Sequence, residues 1–382
     1  MGVYDRLHCP PVVELATRLR AARDAAGISL SRMAGLTHYS KALLGHLETG
    51  NRAIHPEHVA AYAHALNAPV DALYEHPDDP LRRAHEWLVT DTPVTRHREA
   101  GRRVGTSLAA DLERRVVELR HLDDVVAGGR LHPIVHRELS DTWRVLNEAS
   151  YSQQTGARLL TVTGELAQLA GWAAWDAGYQ RQGQHEYLSG VTAAREAGDD
   201  VLVGQLLSCL AYHLATTDDP ADAELLARSA LAGTGNATPV ARALFLERLA
   251  WACARAGNED GARRALDNVD DSYEARDTDT AEPEWVYWLD RSEIDIMAGR
   301  CLVELGNPAQ AEPLLVSAIS GYEPEHAREV ALYRTWLAEA YARSGEFDAA
   351  RTTLCMAERT AHDLSSARLG NRVAAIAELI RL

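Results

Sequence analysis

With 382 residues the chain is long enough for two or three domains with sizeable cores, and the absence of any run of about eighteen apolar residues predicts no membrane span. The opening MGVYDRLHCPP lacks the charged-then-apolar order of a signal peptide, which predicts a cytoplasmic protein. A net charge of −16 predicts modest nonspecific affinity for nucleic acid, and five widely spaced cysteines (Cys9, Cys209, Cys253, Cys301, Cys355) without a C-x-x-C pair predict neither disulfides nor a zinc site.

Pro10 and Pro11 introduce a helix over about Val12–Ala26, with Leu15, Leu19 and Ala22 on one face and Gly27 as its left-handed stop. The next stretch, LSRMAGLTHYSKALLGHLETGNR (Leu30–Arg52), has the spacing of two short helices meeting at a sharp turn. Ser29 caps the first, which turns Met33 and Ala34 inward and Arg32 outward. After a turn at Leu36–Tyr39, Ser40 caps the second. There Leu44 and Leu47 share one face, while Lys41, Ala42, Gly45, His46 and Thr49 lie on the other. That outer face is small and polar, as a helix entering the major groove requires; the plain alternative is an ordinary amphipathic helix pair. A further helix begins at Pro56 with Val59, Tyr62, Ala63 and Leu66 at helical spacing, and Pro69–Tyr74 reads as a fifth short turn of helix.

Five helices in about 65 residues, with the second and third forming the turn, resemble the lambda-repressor-like (XRE) helix-turn-helix domain. The E-x-G signature that ends the family's recognition helix is present as Glu48-Thr49-Gly50, followed by Asn51-Arg52. The resemblance implies a structural pair between Arg23 and Glu48, base contacts from Lys41, Ala42 and His46, phosphate contacts near Ser40 and Thr49, and Arg32 and Arg52 on the same DNA-binding surface. Where the family has a glycine in the turn this chain has His38, which implies a wider turn. Lys41 is the only lysine among 39 basic residues. On that face it is a compact donor to guanine or phosphate; the bland reading is a solvated lysine.

Residues 12–66 carry six basic and four acidic side chains, so almost all the negative charge lies downstream. An acidic body favours paired reading heads, hence a homodimer on double-stranded DNA with half-sites about one helical turn apart. The stretch HPDDP closes a domain over residues 10–76. Residues 77–106 read as a short helix near Leu81–Leu88 and a basic linker holding Arg82, Arg83, Arg96, Arg98, Arg102 and Arg103, either a solvated connector or a brush against phosphates.

From residue 107 to 382 every window prefers helix, so the fold class is all-α. Leu108–Ala127 and Pro133–Ala149 read as long helices separated by Gly128-Gly129. Turns then recur at Ala177-Gly178, Asp218-Asp219-Pro220, Gly257-Asn258-Glu259, Gly306-Asn307-Pro308 and Gly345-Glu346-Phe347, spaced by 40, 39, 49 and 39 residues. Small residues follow at similar offsets, including Ala262, Ala311 and Ala350. Stacked helix hairpins satisfy this pattern, because each buries its apolar face only against the next. The pattern resembles tetratricopeptide (TPR) repeats at a longer period. The stretches ELAQLAGWAAWDAG, AAREAGD and THYSK are similar to actinobacterial XRE–TPR regulators, which implies control of specialised metabolism or differentiation.

The first helices of such hairpins line the concave side. They carry an arginine-and-aromatic stripe including Trp175, Tyr212, Arg248, Trp251, Arg255, Trp288, Arg291 and Trp336. Such a stripe suits a peptide or a planar acidic small molecule as effector; the alternative is that the aromatics wedge between repeats as core. Long helices over residues 107–150 or the C-terminal helix Ala361–Leu382 are two candidate dimerisation surfaces.

No catalytic constellation, cofactor motif or metal set stands out. His132-Pro-Ile-Val-His136 lacks the acidic residue of H-E-x-x-H and reads as a capped or solvated helix start, so no metal, no cofactor and no enzyme activity are expected. The sequence therefore predicts an effector-responsive transcription regulator. The alternative is a TPR-type interaction scaffold with a vestigial DNA-binding domain, favoured by His38 and the acidic body.

Overall fold

The structure is a computed structural model describing residues 12–52, 54, 56–68, 73, 104–216, 220–277, 279–322, 326–364 and 367–381. The chain divides into two compact units, residues 1–91 and 92–382. Among the described residues all regular structure is helical, apart from one isolated bridge position, and no helix is long and apolar enough to cross a membrane.

The first unit contains α1 (Val12–Ala25), α2 (Leu30–Thr37), α3 (Lys41–Glu48) and α4 (Pro56–Leu66). Leu15, Leu19, Met33, Leu44, Leu47 and Tyr62 fill its core at the 3.6-residue period of each helix. The caps are local chemistry. The Ser29 hydroxyl accepts from the Arg32 amide at 3.2 Å and the Ser40 hydroxyl from the Leu43 amide at 3.1 Å, each occupying a donor that the helix leaves unpaired. His38 ends α2 with φ 58°, the left-handed conformation itself, and only three residues separate α2 from α3. The missing glycine is thus met by backbone strain at His38 rather than by a wider turn, correcting that expectation. The fifth turn, Pro69–Tyr74, lies outside the described residues except Leu73, which is buried against the same core; the linker helix at Leu81–Leu88 and the basic stretch to residue 103 lie outside them too.

The second unit opens with α5 (Thr106–Asp123) and α6 (Gly128–Glu148). Gly128 begins α6 instead of separating it from α5, because the helix start presses on the next one. Its amide donates to Asp176 Oδ2 at 2.9 Å, and a Cβ there would stand 2.4 Å from the Ala173 carbonyl oxygen.

Five hairpins follow: α7 (Gln153–Asp176) with α8 (Gln180–Ala197), α9 (Asp200–Leu214) with α10 (Pro220–Gly233), α11 (Pro239–Arg255) with α12 (Glu259–Glu274), α13 (Arg291–Glu304) with α14 (Pro308–Ser320), and α15 (Ala327–Arg343) with α16 (Phe347–Leu364). Gly178, Gly257, Gly306 and Gly345 each turn the chain at φ between 72° and 86°, where an L side chain is strained. Just inside the second helices Ala262, Ala311 and Ala350 are fully buried, letting paired helices approach closely.

The last helix, α17 (Ala367–Arg381), packs on α15 and α16 and reaches back to α7. Arg328 at the head of α15 donates to the carbonyls of Asp123 (2.6 Å) and Val126 (3.1 Å) at the end of α5, and the Tyr287 hydroxyl donates to Asp124 at 2.6 Å. The two ends of the repeat array are therefore laced together across the concave side, which the first helix of each hairpin lines.

Candidate functional site

Two sets of residues face outward or into free space, one in each unit. In the first unit, Arg32, Ser40, Lys41, Ala42, His46, Thr49 and Arg52 are all exposed, while Leu44, Leu47 and Glu48 of the same helix turn are buried. The Thr49 hydroxyl donates back to the Gly45 carbonyl at 2.8 Å. Behind this face Arg23 Nε and Nη2 donate to Glu48 Oε1 and Oε2, both at 2.6 Å, and its Nη1 donates to the Ile28 carbonyl at 2.8 Å. The Tyr62 hydroxyl donates to Glu48 Oε1 at 2.8 Å. Every carboxylate oxygen is used, so α1, α3 and α4 are tied to one buried anion and the outer face of α3 rests on a rigid base. The hydrogen bonds to Glu48 raise the Arg23 pKa further, keeping the guanidinium charged.

In the second unit the concave side holds a partly open cavity of about 490 Å³. Its basic end is built from Arg248 on α11, Arg300 on α13 and Arg368 on α17 around Tyr212 on α9. The Arg248 guanidinium lies 4.0 Å from the Tyr212 ring, 5.6 Å from Trp172 and 5.9 Å from Trp288; that of Arg300 lies 5.3 Å from Tyr212 and 4.7 Å from Trp251. None of the three arginines pairs with a carboxylate among the described residues, and buried Nε atoms of Arg248 and Arg300 have no partner. Burial opposes ionisation of the Tyr212 phenol, but Arg300, Arg368 and Arg248 outweigh it and hold the group down at about 7.

The other end is acidic and partly paired. Glu293 accepts from the hydroxyls of Tyr333 (2.6 Å) and Tyr322, and burial raises its pKa despite them. Asp123, pushed up to about 7 by burial against the pull of Arg328, stands 3.8 Å from that arginine. Between the ends lies Glu247, which burial pushes up to about 8 and whose Oε1 has no partner. The cavity therefore offers guanidiniums that no carboxylate pairs, aromatic faces, and a carboxyl, Glu247, whose ionisation burial opposes.

Of the stripe residues named from the sequence, Tyr212, Arg248 and Trp288 line this cavity. Trp175 stacks on His213 at 4.5 Å behind the floor, and Trp251 and Trp336 meet edge to face at 5.3 Å beneath it. Arg255 pairs with Glu304 at 2.6 Å and Arg291 with Asp270 at 2.5 Å and Asp295 at 2.7 Å. Helical periodicity alone does not single out Arg300, Arg368, Glu247 and Glu293. Their signal was a charge at a core register of an apolar helix, as in Leu246-Glu247-Arg248-Leu249 and Met297-Ala298-Gly299-Arg300-Cys301. The 49-residue interval held a further signal: its extra residues include the 3-10 turn Glu284–Val286 and bring Trp285, Tyr287 and Trp288 to the cavity wall.

The reading of His132 and His136 as a solvated helix start is corrected. His132 lies in the second turn of α6 and is buried, and both rings contact Glu186 on α8.

Residues 14–76 match the family described as "Helix-turn-helix domain". No curated protein matches the chain in sequence. Among solved structures the chain is similar to a Rap protein complexed with competence and sporulation factor (10% identity over 95% of this chain and 80% of that one, TM-score 0.48). It is similar also to PlcR of Bacillus thuringiensis in complex with the peptide PapR7 and DNA (11%, 95% and 99%, TM-score 0.36). A third is the apo competence regulator ComR from Streptococcus vestibularis (13%, 89% and 98%, TM-score 0.31).

Proposed function

We propose that this chain is a sequence-specific DNA-binding transcription regulator of XRE type whose repeat unit binds an acidic effector, a small molecule or a peptide carboxylate, and pairs two copies. The observation that carries the reading is the cluster of arginines without carboxylate partners in an aromatic-walled cavity, joined in one chain to a helix-turn-helix domain. Buried guanidiniums without carboxylates cost stability unless an anion completes them, and a bidentate carboxylate or phosphate does so with directional hydrogen bonds.

At the reading head Lys41 and His46 reach base edges, Ala42 leaves room for them, and Ser40, Thr49, Arg32 and Arg52 hold phosphates. The cavity is lined by the first helices of the unit and by its last, so an effector that bridges them favours one curvature of the array over another. In a dimer a shift of a few ångströms between heads disturbs the spacing of half-sites one helical turn apart.

The test is fluorescence anisotropy of the full chain on DNA from upstream of its own gene, against scrambled DNA, across a salt series. Specific binding should weaken in Lys41→Ala by about 1–3 kcal/mol. Equal, weak binding to both DNAs that the substitution leaves unchanged would overturn the reading in favour of a protein-interaction scaffold.

A further inference from the structure

We infer that His132, His136 and Glu186 form a binding site for a borderline divalent transition ion, zinc foremost, that clasps α6 to α8. His132 and His136 are four residues apart on one face of α6, so both rings project toward the same place on α8. Their ring centroids are 5.5 Å apart. His132 Nε2 lies 3.1 Å and His136 Nδ1 2.8 Å from Glu186 Oε1, and the ligand atoms of all three residues fall within 4.8 Å of one another. Two ligands on one ion at about 2.0–2.1 Å are separated by a little over 3 Å, close to the two nitrogen–oxygen separations here.

The hydrogen bonding is lopsided. Glu186 Oε1 faces both imidazoles and also accepts from Gln182 Nε2 at 3.3 Å, whereas Oε2 is buried with no partner. Among the described residues no arginine or lysine pairs with this carboxylate, which is 2% exposed. A buried carboxylate whose only counter-groups are two imidazoles is short of positive charge, and a divalent ion supplies it. Two nitrogens and one oxygen suit zinc or its neighbours in the first transition row and disfavour magnesium and calcium, which take oxygen sets. The His136 side chain is 48% exposed, so one edge of the site opens to solvent and leaves room for water as a fourth ligand.

The position gives such an ion a structural consequence. α6 and α8 both pack on α7, and α7 supplies Gln168, Trp172 and Asp176 to the cavity. A clasp between its two neighbours holds α7 in place from outside.

The experiment is cobalt(II) titration of the untagged, chelator-treated full chain, followed by visible d–d absorption, with zinc(II) as competitor and with His136→Ala and Glu186→Gln alongside. One saturable ion per chain, displaced by zinc and bound at least tenfold more weakly by either variant, is the expected result. Because the glutamine variant removes a charge from the interior, imidazole nitrogen resonances of the unsubstituted chain provide a reading that needs no variant. Those of His132 Nε2 and His136 Nδ1 should shift on zinc addition. Absence of saturable binding, binding equal in all three chains, or unshifted resonances would show a hydrogen-bonded helix contact only.

Discussion

Both units bury arginine, and they do so in opposite ways. In the first, Arg23 meets Glu48 in a two-pronged pair with both carboxylate oxygens occupied. In the second, Arg248 and Arg300 are equally buried, lean on aromatic faces, and have Nε atoms with no partner. The same side chain is thus a closed structural joint in one place and an open valence in the other. Burial alone does not point to a binding group; burial without a carboxylate partner does.

The largest effect that would break this comparison is on stability. Arg23→Met strands the Glu48 carboxylate in the core and should destabilise the first unit by about 3–5 kcal/mol. Hydrogen exchange in the full chain should report it as lost protection across α1–α3. Arg248→Met removes a charge that no carboxylate balances, so its unfolding free energy should stay within about 1 kcal/mol of the parent. The same substitution should abolish protection of the repeat unit by an acidic effector. Equal losses in the two variants would mean that Arg248 has a structural partner after all.

A second consequence concerns protonation. Three guanidiniums hold Tyr212 near 7, so tyrosinate absorbance equivalent to one residue should appear between about pH 6 and 8. It should vanish in Tyr212→Phe and move toward higher pH in Arg300→Met. The sign for stability follows. A phenol whose folded pKa is depressed contributes stability that grows as pH rises through 7 and is complete only above its ordinary value of 10. Glu247 acts oppositely: pushed up to about 8 by burial, it contributes less as pH rises from its ordinary 4.5 to 8. An absorbance step confined to pH near 10 would show that the arginines are screened.

How much of this was legible in the sequence depended on whether a signal was local. Caps at Ser29 and Ser40, glycines at hairpin turns and the alanines behind them are set by neighbours a few residues away, and the all-helical architecture follows from their period. The two ends of the repeat array meet through Arg328 and α17, contacts between residues about 200 positions apart, and no period announces those. The cavity's charged lining was hidden for the same reason. Within one helix Arg248 and Glu247 look like neighbours that neutralise each other, whereas in space Arg248 faces Tyr212 and Glu247 Oε1 faces no partner. The pair His132 and His136 carried a spacing that sequence could read, but its acid lies 50 residues downstream of His136 on another helix.

The smallest effect isolates the turn itself. His38 is held at φ 58°, where an L residue costs about 1–2 kcal/mol, and its side chain is exposed. Glycine removes that strain but has more freedom to lose on folding, about 0.5–1 kcal/mol. His38→Gly should therefore stabilise the first unit by about 0.5–1 kcal/mol, read as slower exchange of the α2 and α3 amides. If the histidine is only a strained substitute for glycine, affinity for operator DNA and its salt dependence should be unchanged, because the exposed face of α3 stays where Arg23 and Glu48 hold it. A loss of operator affinity with a gain in stability would instead place the His38 ring on the DNA. A histidine where the turn geometry favours glycine would then be read as a contact retained at the cost of strain.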